Sequence, residues 1–255
     1  EAVVPIPSLA FDYTPWDAIK ISGKVSRNFR LPTLNDRFWR PGGNPDLKPE
    51  TGWSQEVTFK NYFGSKKSFS WSATGFNRNI RHWILWSPDP EAFYWSASNV
   101  ASVWSRGVEL RVEGEVKVDS WNLRFSAGYD YIRTTPEVES EAPGLREGEQ
   151  LLYTPIQTFF GNLNIAYGGV EMSYTHRFND ETRGTNGIVS SFQVADLRLQ
   201  LRAKSKTASA LSASFFIEAN NLYDLDYFII ERRPMPGRNF MAGVSFFINQ
   251  QNSKE

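Results

Sequence analysis

The chain has 255 residues with 28 basic and 28 acidic side chains, so its formal net charge is zero. This balance disfavours a nucleic-acid partner, because such proteins need a surplus of basic side chains. Aromatic residues make up 15% of the chain, cysteine is absent, and the mean hydropathy is −0.44. A disulfide framework is therefore excluded. No run of about 18 apolar residues occurs that would span a membrane as a helix.

Eleven segments alternate between apolar and polar residues, and this period of two predicts β-strands. They are Ser8–Tyr13, Ala18–Asn28, Thr51–Phe63, Ser68–Ile80, Ser105–Val118, Trp121–Arg133, Pro155–Tyr167, Gly169–Phe178, Ser191–Arg202, Ala208–Asn220 and Arg238–Ile248.

The fifth predicted strand alternates most clearly. We expect Val108, Leu110 and Val112 to face lipid. The charged residues between and after them should face a watery lumen or a plug: Glu109, Arg111, Glu113, Glu115 and Lys117.

The connections between these strands alternate between short and long. The short ones lie at Pro15, Ser65, Asp119, Gly168 and Ser205, and the long ones begin at Phe29, Arg81, Thr134, Asn179 and Asn221. Transmembrane barrels have this asymmetry, with short periplasmic turns and long extracellular loops. We therefore predict an all-β protein, an antiparallel transmembrane β-barrel of a Gram-negative outer membrane, with its C-terminus in the periplasm.

The predicted strand count is odd, whereas bacterial barrels have an even number of strands. We therefore expect residues 1–248 to be the C-terminal part of a larger barrel, followed by a polar tail at residues 249–255.

The stretch Phe29–Glu50 interrupts the alternation with four prolines and the pair Gly42-Gly43, which predicts neither a strand nor a helix. It contains two phrases, Phe29-Arg30-Leu31-Pro32 and Gly43-Asn44-Pro45-Asp46-Leu47-Lys48-Pro49-Glu50. Further along stand Asn221-Leu222-Tyr223-Asp224 with Tyr227, and Pro234-Met235-Pro236-Gly237-Arg238. In the residues, order and spacing of these motifs, the chain resembles the C-terminal barrel half of TonB-dependent outer-membrane receptors.

This resemblance implies a 22-stranded barrel, of which this chain would supply about 11 strands, without the plug domain and the N-terminal half. It implies an active transporter energised by the TonB complex through the missing N-terminus, and outer-membrane lipid as a partner. The cobalamin receptor-like branch is the most similar, so a cobalamin-like corrinoid is the leading substrate and a ferric siderophore the second. Haem receptors of this family usually place a histidine between the two phrases, and none stands there. No cofactor is expected.

Aromatic and basic residues in the first two long connections are candidate ligand contacts, because aromatics offer large contact areas at low entropic cost. A basic pair there could meet an anionic ligand or a lipopolysaccharide phosphate. Packing of loop on loop, or an aromatic girdle, is the competing interpretation. The candidates are Arg37, Trp39, Arg40, His82, Trp83, Trp86, Phe93, Tyr94 and Trp95.

The two histidines do not predict a metal site. His176 is in phase with apolar residues of its strand, and His82 begins a long connection. The third long connection is acidic, but its spacing is not that of a calcium loop. Its acidic residues are Glu137, Glu139, Glu141, Glu147 and Glu149. An outer-membrane lipase would need a Ser–His pair, and no Gly-x-Ser-x-Gly occurs, so an enzyme is not predicted.

Two other classes of protein compete with the active transporter. A passive porin or structural barrel would share the strands and loops but lack the plug and the energy-coupling segment. A soluble all-β adhesin or lectin-like domain is disfavoured by strand length, because strands in soluble sandwiches are usually about 5–6 residues long.

Overall fold

A computed structural model describes residues 4–89, 93–137, 145–203 and 211–248. Over these residues, eleven strands form one antiparallel sheet, and neighbours in the sheet follow chain order. This arrangement confirms the predicted all-β fold and strand number. The strands are β1 Ser8–Trp16, β2 Ile19–Arg30, β3 Glu50–Phe63, β4 Phe69–Pro88, β5 Trp95–Val118, β6 Trp121–Pro136, β7 Gln157–Tyr167, β8 Val170–Asn179, β11 Phe192–Ala203, β12 Leu211–Asn220 and β15 Asn239–Ile248. The intervening numbers belong to short strands outside this sheet, β9 Thr182–Arg183, β10 Ile188–Val189, β13 Phe228–Ile230 and β14 Arg233–Pro234.

The sheet register gives the sheet one apolar face, because residues with the same phase stand opposite one another on neighbouring strands. In β5, Val108, Leu110 and Val112 are each more than 40% exposed. The row of Leu110 continues across eight strands through Tyr13, Ile21, Phe59, Ala73, Tyr129, Phe159 and Phe178. We call this side the apolar face and the opposite side the polar face.

The polar face carries ion pairs that join adjacent strands or reach across one intervening strand. Lys60 contacts Glu113 at 2.6 Å, and Arg111 pairs with Asp130. Further along the sheet lie the pairs Arg177–Asp196, Arg198–Glu218, Arg124–Glu171 and Arg202–Glu171. The observed faces thus have the polarity that the alternation in the sequence predicts.

The second long connection is shorter than predicted. The sequence indicated a loop over Arg81–Trp104, but β4 continues to Pro88 and β5 begins at Trp95. The two strands pair along the whole extension, ending at Pro88 opposite Trp95. Aromatic, small and polar residues are mixed in this extension, so the apolar alternation ends there. The two strands remain paired because the hydrogen bonds between them are made by the backbone.

Other long connections also contain regular structure that was not predicted. The prediction that Phe29–Glu50 contains no helix was wrong, because the one-turn helix α1, Leu34–Phe38, lies within it. Strand β6 extends to Pro136. The fourth connection contains the hairpin β9 Thr182–Arg183 and β10 Ile188–Val189, and the fifth contains β13 Phe228–Ile230 and β14 Arg233–Pro234. The predicted turn at residues 204–207 and the tail at 249–255 lie outside the described residues.

The buried apolar clusters lie where the long connections meet the sheet, at the edge that we call the rim. One consists of Val103, Leu145 and Leu151, and the other of Leu47, Ile84 and Ala97. Each packs residues from a long connection against the extended β4–β5 hairpin. Among the described residues, no helix is long and apolar enough to cross a membrane.

Candidate functional site

Helix α1 begins in a capping box within the first loop, residues 31–49. The Asp36 backbone N–H donates to Thr33 Oγ1 at 3.1 Å, and the Thr33 N–H donates to Asp36 Oδ2 at 2.8 Å. The two bonds satisfy backbone donors that the first turn of a helix leaves free. The sequence phrase Thr-x-x-Asp is thus a local signal for α1, although four prolines surround it.

Asp36 joins the first loop to the β4–β5 hairpin. Its carboxylate accepts from Trp86 Nε1 at 3.0 Å and from Arg30 Nη2 at 3.2 Å, and it is almost fully buried. Burial is the strongest single influence on the pKa of Asp36 and raises it. The hydrogen bonds from Trp86 and Thr33 and the charge of Arg30 together outweigh burial, so the pKa lies below its ordinary value.

The base of the first loop is closed by Arg30 and Glu50, the last residue of β2 and the first of β3. Arg30 Nη1 donates to Glu50 Oε1 at 2.8 Å, and the same oxygen accepts from the backbone N–H of Ile84 at 2.9 Å. The Glu50 side chain is 8% exposed. Both ends of the loop are therefore fixed to each other and to β4.

The middle of the first loop packs on the same hairpin. The Ala97 N–H donates to the Gly42 carbonyl at 2.8 Å, and a Cβ on Gly42 would collide with the Trp95 carbonyl. Asn99 accepts from the Lys48 N–H at 2.8 Å and donates to the Lys48 carbonyl at 3.0 Å. We call the first loop together with the β4–β5 hairpin the rim cap.

Two of the predicted ligand contacts are partly buried and pack on the apolar clusters of the rim cap. Trp86 packs on the Leu47 cluster as well as bonding Asp36, and Trp83 packs on the Val103 cluster. His82 is half-buried, has a positive φ of 57°, and accepts from Asn99 Nδ2 at its carbonyl.

The other predicted contacts are exposed. Arg37 donates to the Pro45 carbonyl at 2.8 and 3.1 Å, which ties its guanidinium to its own loop. At the hairpin tip stand Phe93, Tyr94 and Trp95, all exposed. An open cavity of about 410 Å³ at α1 is lined by Leu34, Asn35, Phe38, Trp39 and Arg40.

This cavity at α1 joins apolar surface with positive charge. Leu34 is 77% exposed, and Phe38 and Trp39 are each nearly 60% exposed. Arg40 lies at the same cavity. The arrangement could stack on a flat or greasy molecule and pair with an anionic group on it.

A second cluster at the rim holds the third, fourth and fifth long connections together. Glu231 accepts from the Asn186 N–H at 3.1 Å, from Thr185 Oγ1 at 3.1 Å and from the Tyr153 hydroxyl at 3.3 Å. Desolvation raises the pKa of Glu231, but these bonds together hold it below its ordinary value. Nothing in the local sequence marks Glu231, because its partners lie up to 78 positions away.

The later phrases of the sequence pack against each other. The buried Asn221 donates through Nδ2 to the carbonyls of Leu225 and Pro236, at 2.9 and 3.3 Å. The Arg238 N–H donates to Asp224 Oδ1 at 2.9 Å. Residues of these two motifs thus shape the connection before β15.

No group of three or more histidine, cysteine or acidic residues that could hold a metal occurs among the described residues. His176 contacts the hydroxyls of Tyr174 and Tyr223 at 3.2 and 3.4 Å. In the acidic third connection, Glu137 accepts from Asn79 and Glu149 pairs with Arg183. Glu139 and Glu141 lie outside the described residues.

A family model described as "TonB dependent receptor-like, beta-barrel" matches residues 4–222. The chain belongs to this family. The resemblance seen in the sequence phrases is therefore confirmed, and this receptor chain is an outer-membrane protein by its family.

Curated relatives of the receptor chain are a vitamin B12 transporter, BtuB, of Photobacterium profundum and a hemin receptor of Yersinia pestis. The first is 24% identical over 250 residues, covering 93% of this chain and 37% of the relative. The second is 21% identical over 266 residues, covering 95% and 37%. The receptor chain thus spans less than two fifths of the length of these relatives, which are named as a transporter and a receptor, not as enzymes.

The fold of the receptor chain is also that of solved receptors. The siderophore receptor PiuA from Acinetobacter baumannii superposes with a TM-score of 0.67 at 18% identity, over 94% of this chain and 35% of that one. At 18% identity, this structural similarity shows a shared fold alone.

Proposed function

We propose that this chain forms about half of the wall of an active outer-membrane transporter that takes up a scarce nutrient through TonB. In this proposal residues 1–248 are the C-terminal part of a 22-stranded barrel. A plug and the N-terminal barrel half belong to the complete protein. Family membership supports the proposal, as does the chain's span of 37% of its curated relatives.

The rim lies outside the cell in this proposal, and the short turns and the C-terminus lie in the periplasm. The apolar face meets lipid. The polar face, with its row of ion pairs, surrounds the plug. Support comes from the polarity of the two faces and from the length of the connections at the rim.

The main support for ligand capture at the rim is the exposed cavity at α1, which lies on a hydrogen-bonded part of the rim cap. Trp39 and Arg40 stand at this cavity, while Asp36 and Trp86 fix the helix beneath it. Binding residues held by such packing lose little conformational entropy on binding. We assign direct ligand contact to Trp39 and Arg40, with Phe93, Tyr94 and Trp95 as further contacts at the hairpin tip. Arg37, His82, Trp83 and Trp86 position these residues.

The nutrient is a cobalamin-like corrinoid or, as the second candidate, a ferric siderophore. The BtuB relative of Photobacterium profundum supports the corrinoid. The siderophore receptor PiuA has the same fold, and the cavity with its aromatic and basic lining suits either ligand. The hemin receptor relative makes haem a third compound to test, although residues 29–47 contain no histidine.

This proposal is tested in cells whose only uptake route is the complete receptor. Their uptake of labelled cobalamin, of a ferric siderophore and of haem is measured. We expect TonB-dependent uptake of cobalamin, and a loss of about tenfold when Trp39→Ala and Arg40→Gln are combined. Lys48→Gln, an exposed change in the same loop, is the matched control. Uptake that continues without TonB would support the alternative, a passive porin or structural barrel.

A further inference from the structure

Two arginines stand side by side on the apolar face, at the end nearest the rim. Arg106 of β5 pairs in register with Arg133 of β6, and the row continues through Asn77 and Gln55. The next row toward the short turns is apolar except for a glycine, and it consists of Val57, Gly75, Val108 and Tyr131. The charge of the arginines therefore lies at the boundary of the apolar band.

The height of this boundary follows from strand geometry. Ten residues separate Val108 from Val118 at the far end of β5. With about 3.3 Å per residue and a tilt of about 40°, they span about 25 Å along the barrel axis. This is the height of the apolar band of an outer-membrane barrel, so Arg106 and Arg133 lie at the level of the lipid headgroups.

Hydrogen bonds hold this polar row in place. Asn77 donates to Gln55 Oε1 at 2.8 Å and accepts from Trp104 Nε1 at 2.5 Å. The Arg106 guanidinium lies 3.6 Å from the centre of the Trp104 ring and donates to Thr135 Oγ1 at 3.1 Å. The guanidinium is thus positioned before any ligand arrives.

Neither arginine has an acidic partner among the described residues. Arg133 donates to the Gly148 carbonyl at 3.3 Å, and the contacts of Arg106 are to Trp104 and Thr135. Glu137 stands two rows further toward the rim, where it accepts from Asn79 and Ser102. In contrast, six arginines of the polar face pair with carboxylates: Arg111, Arg124, Arg177, Arg198, Arg202 and, at the rim, Arg30.

A cavity of about 660 Å³ opens between the two arginines and the apolar row below them. A Cβ on Gly75 would meet no atom within 4 Å, so this residue leaves a notch between Val57 and Val108. The cavity thus has positive charge on its rim side and an apolar notch on the side of the short turns, which matches the shape and polarity of a lipid.

We propose that Arg106 and Arg133 bind the phosphate of an anionic membrane lipid, with an acyl chain in the notch over Gly75. Guanidinium groups recognise phosphate through paired N–H donors, and basic residues near a membrane surface attract anionic headgroups. This site rests on the proposed contact of the apolar face with lipid and is independent of the transported nutrient.

Native mass spectrometry of the complete receptor in detergent, titrated with phosphatidylglycerol or zwitterionic phosphatidylcholine, tests the site. The unmodified receptor should prefer phosphatidylglycerol. Combining Arg106→Gln with Arg133→Gln should weaken this binding at least about tenfold. Arg78→Gln, on the polar face of the same hairpin, is the matched control and should change nothing.

A second variant keeps both charges. Gly75→Leu should fill the notch and weaken phosphatidylglycerol binding while the receptor keeps its heat-dependent gel migration. Equal phosphatidylglycerol binding by the unmodified receptor and the double arginine variant would overturn the proposal. Displacement of the lipid by inorganic phosphate would instead identify a free-phosphate site and overturn the lipid assignment.

Discussion

Glu50 Oε1 accepts two hydrogen bonds, from Arg30 Nη1 at 2.8 Å and from the Ile84 N–H at 2.9 Å, and so joins three strands at the base of the first loop. The side chain of Glu50 is almost fully buried, whereas that of Arg30 is about half exposed. The backbone N–H of Ile84 therefore depends on Glu50 more than the guanidinium does, because water can replace the carboxylate only at Arg30.

Replacing Glu50 should loosen the rim cap according to which bonds survive. Glu50→Leu leaves the Ile84 N–H unpaired and should cost about 1–3 kcal/mol. Glu50→Gln keeps an oxygen that can accept from Ile84 and should cost less. Thermal unfolding of the complete receptor in detergent, together with protease cleavage within residues 31–49, would measure both. Equal losses for the two variants would mean that the ion pair, and not the bond to Ile84, holds the loop.

The contact between Asp36 and the hairpin should depend on pH. Because its pKa is depressed in the folded protein, ionised Asp36 contributes stability above its ordinary pKa of about 3.9. This contribution should be lost as the pH falls through the depressed value. The chain has no cysteine, so a spin label on Lys48→Cys would report the mobility of the first loop.

The label should stay immobile down to about pH 4 and become mobile only below that value. In the Asp36→Asn background it should be mobile already at neutral pH, because the charge and one acceptor are gone. A transition at the same pH in both backgrounds would assign the pH dependence to another group.

Gly42 should tolerate no side chain. Gly42→Ala places a methyl group against the Trp95 carbonyl, so the first loop must move away from β5 and lose the bond from Ala97. We expect a cost of about 1–3 kcal/mol, typical of an overpacked site. Gly187→Ala is the control, because its Cβ would meet only the Glu231 carboxylate at 3.9 Å. Protease sensitivity of the first loop should rise for Gly42→Ala alone.

The two faces of the sheet should respond differently to changes of charge. Val112→Arg puts a cation into the apolar band and should cost about 2–4 kcal/mol near its middle. Glu113→Gln on the polar face removes an ion pair with Lys60 whose glutamate is more than half exposed, and should cost at most about 1 kcal/mol. Folding of the complete receptor into lipid bilayers at increasing urea would measure both changes. The reverse ranking would mean that the polar face meets the lipid.

Sequence alone determined most of the strands and the polarity of their faces, because a period of two is a local property of the chain. It also determined the family, through short motifs. The phrases that identify the family hold the rim together: Arg30 and Glu50 close the first loop, Leu47 is buried, and Asn221 organises the connection before β15. Helix α1 was not predicted, because the prolines around it indicated neither a strand nor a helix, although the spacing of Thr33 and Asp36 fits a capping box.

Only the tertiary structure decided which rim residues face solvent and which hold the cap. Trp39 and Trp86 look alike in sequence, but Trp39 is exposed beside α1 and Trp86 bonds Asp36 from a strand 50 positions away. The extent of β4 and β5 beyond Ile80 and Ser105 was likewise invisible, because pairing between strands does not need apolar alternation. Such contacts join residues far apart in the chain, and local pattern carries no information about them.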